Sequence, residues 1–214
     1  MYRILSFLAF SALAACGPST SKTDVSVDVG HADTKGPCSD VTTLQAARSD
    51  TPPFSSLRGA PVMRGDTPVR DTWYAKADYF GSDGCTIAAL RDVFDTKSDF
   101  HIAGCDVFVE PSSLDREENE QKARRALEET RANLESCLGD SWIMTESDDD
   151  PNFDIYHRYT FKPQGYETPF SLSADPAYLE MSFSRFPSRS RPAGWMVKLQ
   201  FQEQIASEPA SNQE

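Results

Sequence analysis

The sequence predicts an α+β domain, with two helices packed on one face of an antiparallel sheet. Three observations predict it. A long charged segment, residues 114–138, carries a narrow apolar stripe at helical spacing. Several shorter runs alternate apolar and polar residues, as strands with one buried face do. The order is a helix, two or three strands, a helix, then several strands. That order also fits two related α-β-β units.

The domain occupies residues 38–202. Cys38-Ser39-Asp40 opens a short helix, with Ser39 or Asp40 as N-cap and Val41, Leu44 and Ala47 on one face. Thr51-Pro52-Pro53 stops it, because a residue before proline resists the helical conformation. Phe54 and Leu57 anchor a turn, and Gly59, Pro61 and Gly65 mark loop. Residues 69–75 form a strand carrying Trp73. Residues 85–94 form another, with Cys85, Ile87, Ala89 and Val93 on one face. Residues 95–99 read as a hairpin connection, and 100–109 return with Ala103, Cys105, Val107 and Val109 on one face.

The long helix begins with Ser112 three residues before Asp115, as in a capping box. Its stripe is Ala123, Leu127, Thr130, Leu134, Cys137 and Leu138, the stripe of a helix lying on a sheet. Glu118–Lys122 and Glu120–Arg124 stand in the favourable i,i+4 order. Gly139 suits the position just past the end. A strand over 142–146 follows. Phe153, Ile155, His157, Tyr159 and Phe161 then alternate with polar or amphipathic residues. Leu179, Met181 and Phe183 repeat the pattern, as do Trp195, Val197, Leu199 and Phe201. Residues 203–214 are polar and read as a disordered tail.

Residues 1–15 have the layout of a signal peptide. Met1-Tyr2-Arg3 is a basic start, residues 4–12 are mainly apolar, and small residues precede Cys16. The apolar run is too short to span a bilayer. Leu13-Ala14-Ala15-Cys16 resembles the lipobox of bacterial membrane lipoproteins. That resemblance implies cleavage before Cys16 and acylation of Cys16, with chains such as palmitate, as a lipid anchor. Gly17 follows Cys16. In enterobacterial lipoproteins Asp at that place favours inner-membrane retention, so the resemblance implies the periplasmic side of the outer membrane. Residues 16–37 then serve as lipidated cysteine and flexible tether.

Four cysteines remain: Cys38, Cys85, Cys105 and Cys137. An even number in an exported chain predicts two disulfides, for which three pairings exist and spacing alone selects none. Element placement favours Cys85–Cys105 across a hairpin and Cys38–Cys137 between helix ends. Cys105–Cys137 is the rival, and would put the end of the second helix over the hairpin.

The chain carries 21 basic and 33 acidic residues, a net charge of −12. Loss of Arg3 with the signal leaves 20 against 33, or −13. Nucleic acid is excluded as a partner on this balance, since phosphate binding needs clustered cations. Membrane attachment must rest on lipid, because an anionic surface repels such a chain.

The candidate sites are few. Asp148, Asp150, Asn152 and Asp154 alternate like the start of a calcium loop, but Phe153 stands where Gly is needed and Tyr159 where the bidentate Glu belongs. A solvated acidic turn is the reading. His31, His101 and His157 share no metal-ligand spacing, and His157 reads as a hydrogen-bonded core imidazole. No metal site or cofactor is predicted. Arg185, Arg189 and Arg191 cluster in one connection as a candidate anion-binding group. No catalytic motif occurs. The expectation is a membrane-anchored envelope lipoprotein with a non-catalytic binding or adaptor domain, its partner an envelope protein or glycan. The alternatives are an envelope enzyme with a dispersed site, or an inhibitor or immunity-type protein.

Overall fold

The computed structural model describes residues 36–93, 96–111, 116–187 and 193–207. The expected signal peptide, Cys16, the tether to residue 35, His31, the Ser112–Asp115 capping box, Arg189, Arg191 and the tail from 208 lie outside the described residues.

Helix α1 (Pro37–Ala47) is followed by strands β1 (Arg58–Arg64), β2 (Thr67–Ala75), β3 (Cys85–Leu90) and β4 (Ser98–Glu110). Helix α2 (Arg116–Leu138) is followed by β5 (Trp142–Ser147), β6 (Ile155–Pro163), β7 (Ala177–Ser184) and β8 (Gly194–Ala206). All eight strands form one antiparallel sheet in the order β1-β2-β3-β4-β8-β7-β6-β5. Each run of four is a meander. The two runs join where β4 lies against β8, the longest strands at 13 residues each.

This overturns the expected arrangement of two helices layered on one face of an antiparallel sheet. The domain is mostly one eight-stranded sheet, and each helix precedes four strands, not two. Helix α2 lies against β4, β7 and β8, whereas α1 packs chiefly on α2 and on the 3-10 turn Ser55–Leu57. The helices therefore do not make a common layer.

The physical reason is strand content hidden from alternation. Gly59 and Pro61 suggested loop, yet both lie in β1. An edge strand tolerates proline, which lacks an N–H, and the register slips on either side of Pro61. A Cβ at Gly59 would stand 3.0 Å from the Tyr74 carbonyl oxygen, so glycine allows the close approach. Strand β7 is buried on both faces, Glu180 and Ser182 included. The tail expected from Glu203 is also corrected, because β8 continues to Ala206. Gln204 is buried there. Its Oε1 accepts from the Ala174 N–H, and its Nε2 donates to Ser98 Oγ and the Leu172 carbonyl. A glutamine so satisfied is cheap to bury.

The core follows the predicted stripes. Helix α2 contributes Ala123, Leu127, Thr130, Leu134 and Leu138, and α1 contributes Val41, Leu44 and Ala47. They meet Leu179, Met181, Leu199 and Phe201 from the central strands. Helix α1 is capped earlier than expected, ahead of both Ser39 and Asp40. Gly36 occupies the N-cap without a side-chain bond, and Pro37 supplies the first turn, where its missing N–H is no loss. Asp40 instead accepts the Phe80 N–H at 2.8 Å.

Two disulfides form. Cys85 and Cys105 stand opposite in register on β3 and β4, with Cα atoms 4.1 Å apart. Cys38 joins the start of α1 to Cys137 at the end of α2, Cα atoms 5.0 Å apart. Such bonds fit a domain that folds in an oxidising compartment outside the cytosol. Among the described residues no helix is long and apolar enough to cross a membrane.

Candidate functional site

The α1–β1 connection, the end of β3 and the ends of β4 and β8 surround a cleft of about 600 Å3. Arg48, Asp50, Arg91, Asp99 and Glu203 supply its charges, and Pro52, Pro53 and Ile205 its apolar lining. The charges pair among themselves or with the nearby backbone. Arg48 donates to Glu203 from Nε at 2.8 Å, with Nη2 at 2.6 Å. Arg91 Nη1 donates to Asp99 Oδ2 at 2.6 Å. Asp50 accepts from both the N–H and the hydroxyl of Ser56. Burial works against the Asp99 charge. Bonds from the Ser207 hydroxyl, the Asp92 N–H and Arg91 outweigh it, and hold the carboxyl below the usual carboxylate range.

His101 lies two residues along β4 from Asp99, on the same side of the strand, and is fully buried. Burial first, then the Arg91 and Arg58 charges, push its pKa down to about 4. It is neutral at neutral pH, and neither ring nitrogen has a hydrogen-bond partner. Arg58 stacks over Trp73, 4.1 Å from the ring centroid. Asp99, His101 and Ser207 have the composition of a hydrolase triad but not its connections. Ser207 Oγ donates directly to Asp99 Oδ1 at 2.5 Å, and His101 bonds to neither. The histidine that links serine to carboxylate in such a triad is therefore not in place.

A second cluster lies at the open end of the β5–β6 hairpin. Glu146 is opposite Tyr159 and Ser147 opposite Arg158, so the next rung sets Asp148 against His157. Glu146 and Asp148, two residues apart, share the strand face toward His157. Asp148 Oδ1 is hydrogen-bonded to His157 Nδ1. His157 Nε2 stands 3.3 Å from Glu146 Oε1, yet is solvent-inaccessible and out of hydrogen-bond alignment. The ring meets Tyr159 edge-on, with centroids 4.7 Å apart. Tyr159 in turn donates to Glu128 Oε1 on α2 at 2.8 Å. Burial, and then that carboxylate, push the Tyr159 hydroxyl up to about 12.

The chain matches no family model, no curated protein and no solved structure.

The predicted site residues are dispersed. The acidic alternation does not converge on one point. Asp150 caps the Asn152 N–H, Asp154 accepts the Arg185 N–H, and Asp148 goes to His157. Of the candidate anion-binding group, only Arg185 is described. Its guanidinium lies 3.6 Å from Asp154, and the neighbouring Phe186 is 77% exposed. Sequence reading missed the cleft, whose parts come from three separated stretches. It also missed the pairing of Glu146 and Asp148 with His157. The signal was there: two carboxylates at i,i+2 before a turn, and a histidine on the returning strand.

Proposed function

We propose that the chain is an exported lipoprotein whose domain, held at the membrane by lipid on Cys16, binds a partner in the cell envelope. One observation carries the reading. The sequence holds five cysteines, and four are joined to one another. Cys16, within a lipobox-like sequence, is the one these bonds leave over. Disulfides and a lipidation signal belong to the same side of a membrane.

The cleft supports binding over chemistry. Its five charged groups are engaged as described above. Asp99, held ionised, cannot serve as a general acid near neutral pH. A polar partner group would exchange for these internal pairs. Arg185 and Phe186, on the β7–β8 connection, offer a further contact point of cation and exposed ring. The partner is an envelope protein or glycan, and the attachment site is the periplasmic side of the outer membrane.

The test is growth with an alkyne-bearing fatty acid, followed by envelope fractionation. The wild-type chain takes up label and fractionates with outer membrane, and Cys16→Ser loses both. Unchanged membrane attachment in Cys16→Ser would remove the basis of the reading. Crosslinking and copurification from the same envelope should yield one partner whose recovery falls in Arg48→Ala.

A further inference from the structure

We infer that Glu146 and His157 form a binding site for a divalent first-row transition metal, with zinc the simplest occupant, and that Asp148 orients the histidine. The argument begins with the proton on the ring. In the neutral ring Asp148 accepts from Nδ1–H, which leaves a lone pair on Nε2, on the side of Glu146. Nε2 then faces Glu146 Oε1 at 3.3 Å, one electron-pair donor against another. A cation between them relieves the repulsion.

No hydrogen bond joins Nε2 to Glu146, so the two atoms are not bridged by a proton along the line between them. A metal sits off the line. With bonds of about 2.0–2.1 Å and a tetrahedral angle, two zinc ligands lie roughly 3.3–3.4 Å apart. The observed separation has that value. The ligand atoms of all three residues lie within 4.8 Å of one another. Imidazole and carboxylate suit zinc, copper or nickel better than calcium, which takes oxygen alone.

The surroundings fit. Asp148 bonded to the far nitrogen reproduces the carboxylate–histidine–metal arrangement that fixes a ligand ring. Tyr159 packs against the imidazole edge and is itself fixed to Glu128 on α2. Glu146 is exposed on the edge strand β5, so a metal reaches its carboxylate from solvent, and a turn of that side chain uncovers the buried Nε2 and leaves positions for water or a partner's side chain. The inference is independent of lipidation and of the cleft.

The test uses the full-length lipoprotein in detergent, stripped with chelator and dialysed against zinc chloride alone. Bound zinc is counted by elemental analysis, with cobalt as a spectroscopic substitute. One zinc per chain is expected, with a cobalt spectrum free of thiolate charge transfer. His157→Gln and Glu146→Gln should each lower affinity at least tenfold, and Asp148→Asn by roughly tenfold through loss of ring orientation. If His157→Gln fails to fold, Glu146→Gln on the exposed edge decides. No zinc on the wild-type chain, or unchanged zinc on Glu146→Gln, would overturn the site.

Discussion

Lys198 and Asp106 face each other in register across the seam between β8 and β4, with Lys198 Nζ 3.4 Å from Asp106 Oδ1. The pair is one rung of a longer series. Glu180 on β7 stands opposite Lys198, and Arg158 on β6 stands opposite Glu180. Charges thus alternate across four strands, and Arg158 ends the series on Asp175 at 2.5 Å. A slip of the seam by one residue would carry Lys198 to the other side of β8.

Lys198→Glu should therefore set three carboxylates in consecutive rungs. The expected loss is roughly 2 kcal/mol, from two like-charge rungs at up to about 1 kcal/mol each. Lys198→Met keeps the stem and should lose less. Urea unfolding of the oxidised proteins measures both, and equal losses would show that the alternating charges do not stabilise the seam.

His101 predicts acid sensitivity. Its folded pKa of about 4 lies below the ordinary 6.5, so the unfolded chain binds the extra proton across that interval. Stability is retained above about pH 6.5 and falls as pH drops toward 4. The drop is of order 2–3 kcal/mol. His101→Leu should flatten the slope between those limits. An identical slope in the variant would assign the acid sensitivity elsewhere.

Tyr159 predicts the opposite limb. Its folded pKa is raised to about 12, so the folded state keeps a proton that the unfolded state releases near 10. The stabilisation is present below about pH 10 and is lost as pH rises toward 12. Among the tyrosines, Tyr159 should ionise late in a spectrophotometric titration. Tyr159→Phe removes the bond to Glu128 and should lower stability by about 1–2 kcal/mol at neutral pH, since a charged acceptor loses its donor. A neutral-pH stability equal to wild type would show that the bond adds nothing.

The two disulfides should differ in weight. Cys38–Cys137 closes a separation of 99 residues and Cys85–Cys105 one of 20. In the chain-entropy model these give about 4–5 and about 3 kcal/mol. Replacing Cys38 and Cys137 by serine should lower Tm more than replacing Cys85 and Cys105. Peptide mapping without reduction checks the pairing, and a Cys105–Cys137 peptide would refute it.

What the sequence made legible was whatever repeats locally. The α2 stripe, the alternation in β8 and the opposition of Cys85 to Cys105 could be read from spacing, because each depends on one or two neighbouring elements. Strand β1 could not, since Pro61 is tolerated only at an edge, and being an edge is a property of the whole sheet. Glu180 and Ser182 looked like solvent residues because alternation assumes one wet face, and β7 is buried on both. Glu203 and Gln204 looked like tail because their partners, Arg48 and Ser98, are more than a hundred residues away. The cleft was hidden for the same reason, since long-range register creates it, whereas the Glu146–His157 contact is local to one hairpin and depends on a register that spacing did not set.

The Cys38–Cys137 bond also has a mechanical consequence. Cys38 is the second residue of α1, so a pull applied from the N-terminal side reaches it almost at once. The load then passes through sulfur to Cys137 and bypasses the 99-residue separation between them. At about 3.4 Å per residue, roughly 340 Å of chain is withheld from stretching. A domain tethered on that side would bear tension from Cys137 into β5, while β1 to β4 and nearly all of α2 stayed slack. Reduction would change its extension under force more than its shape at rest.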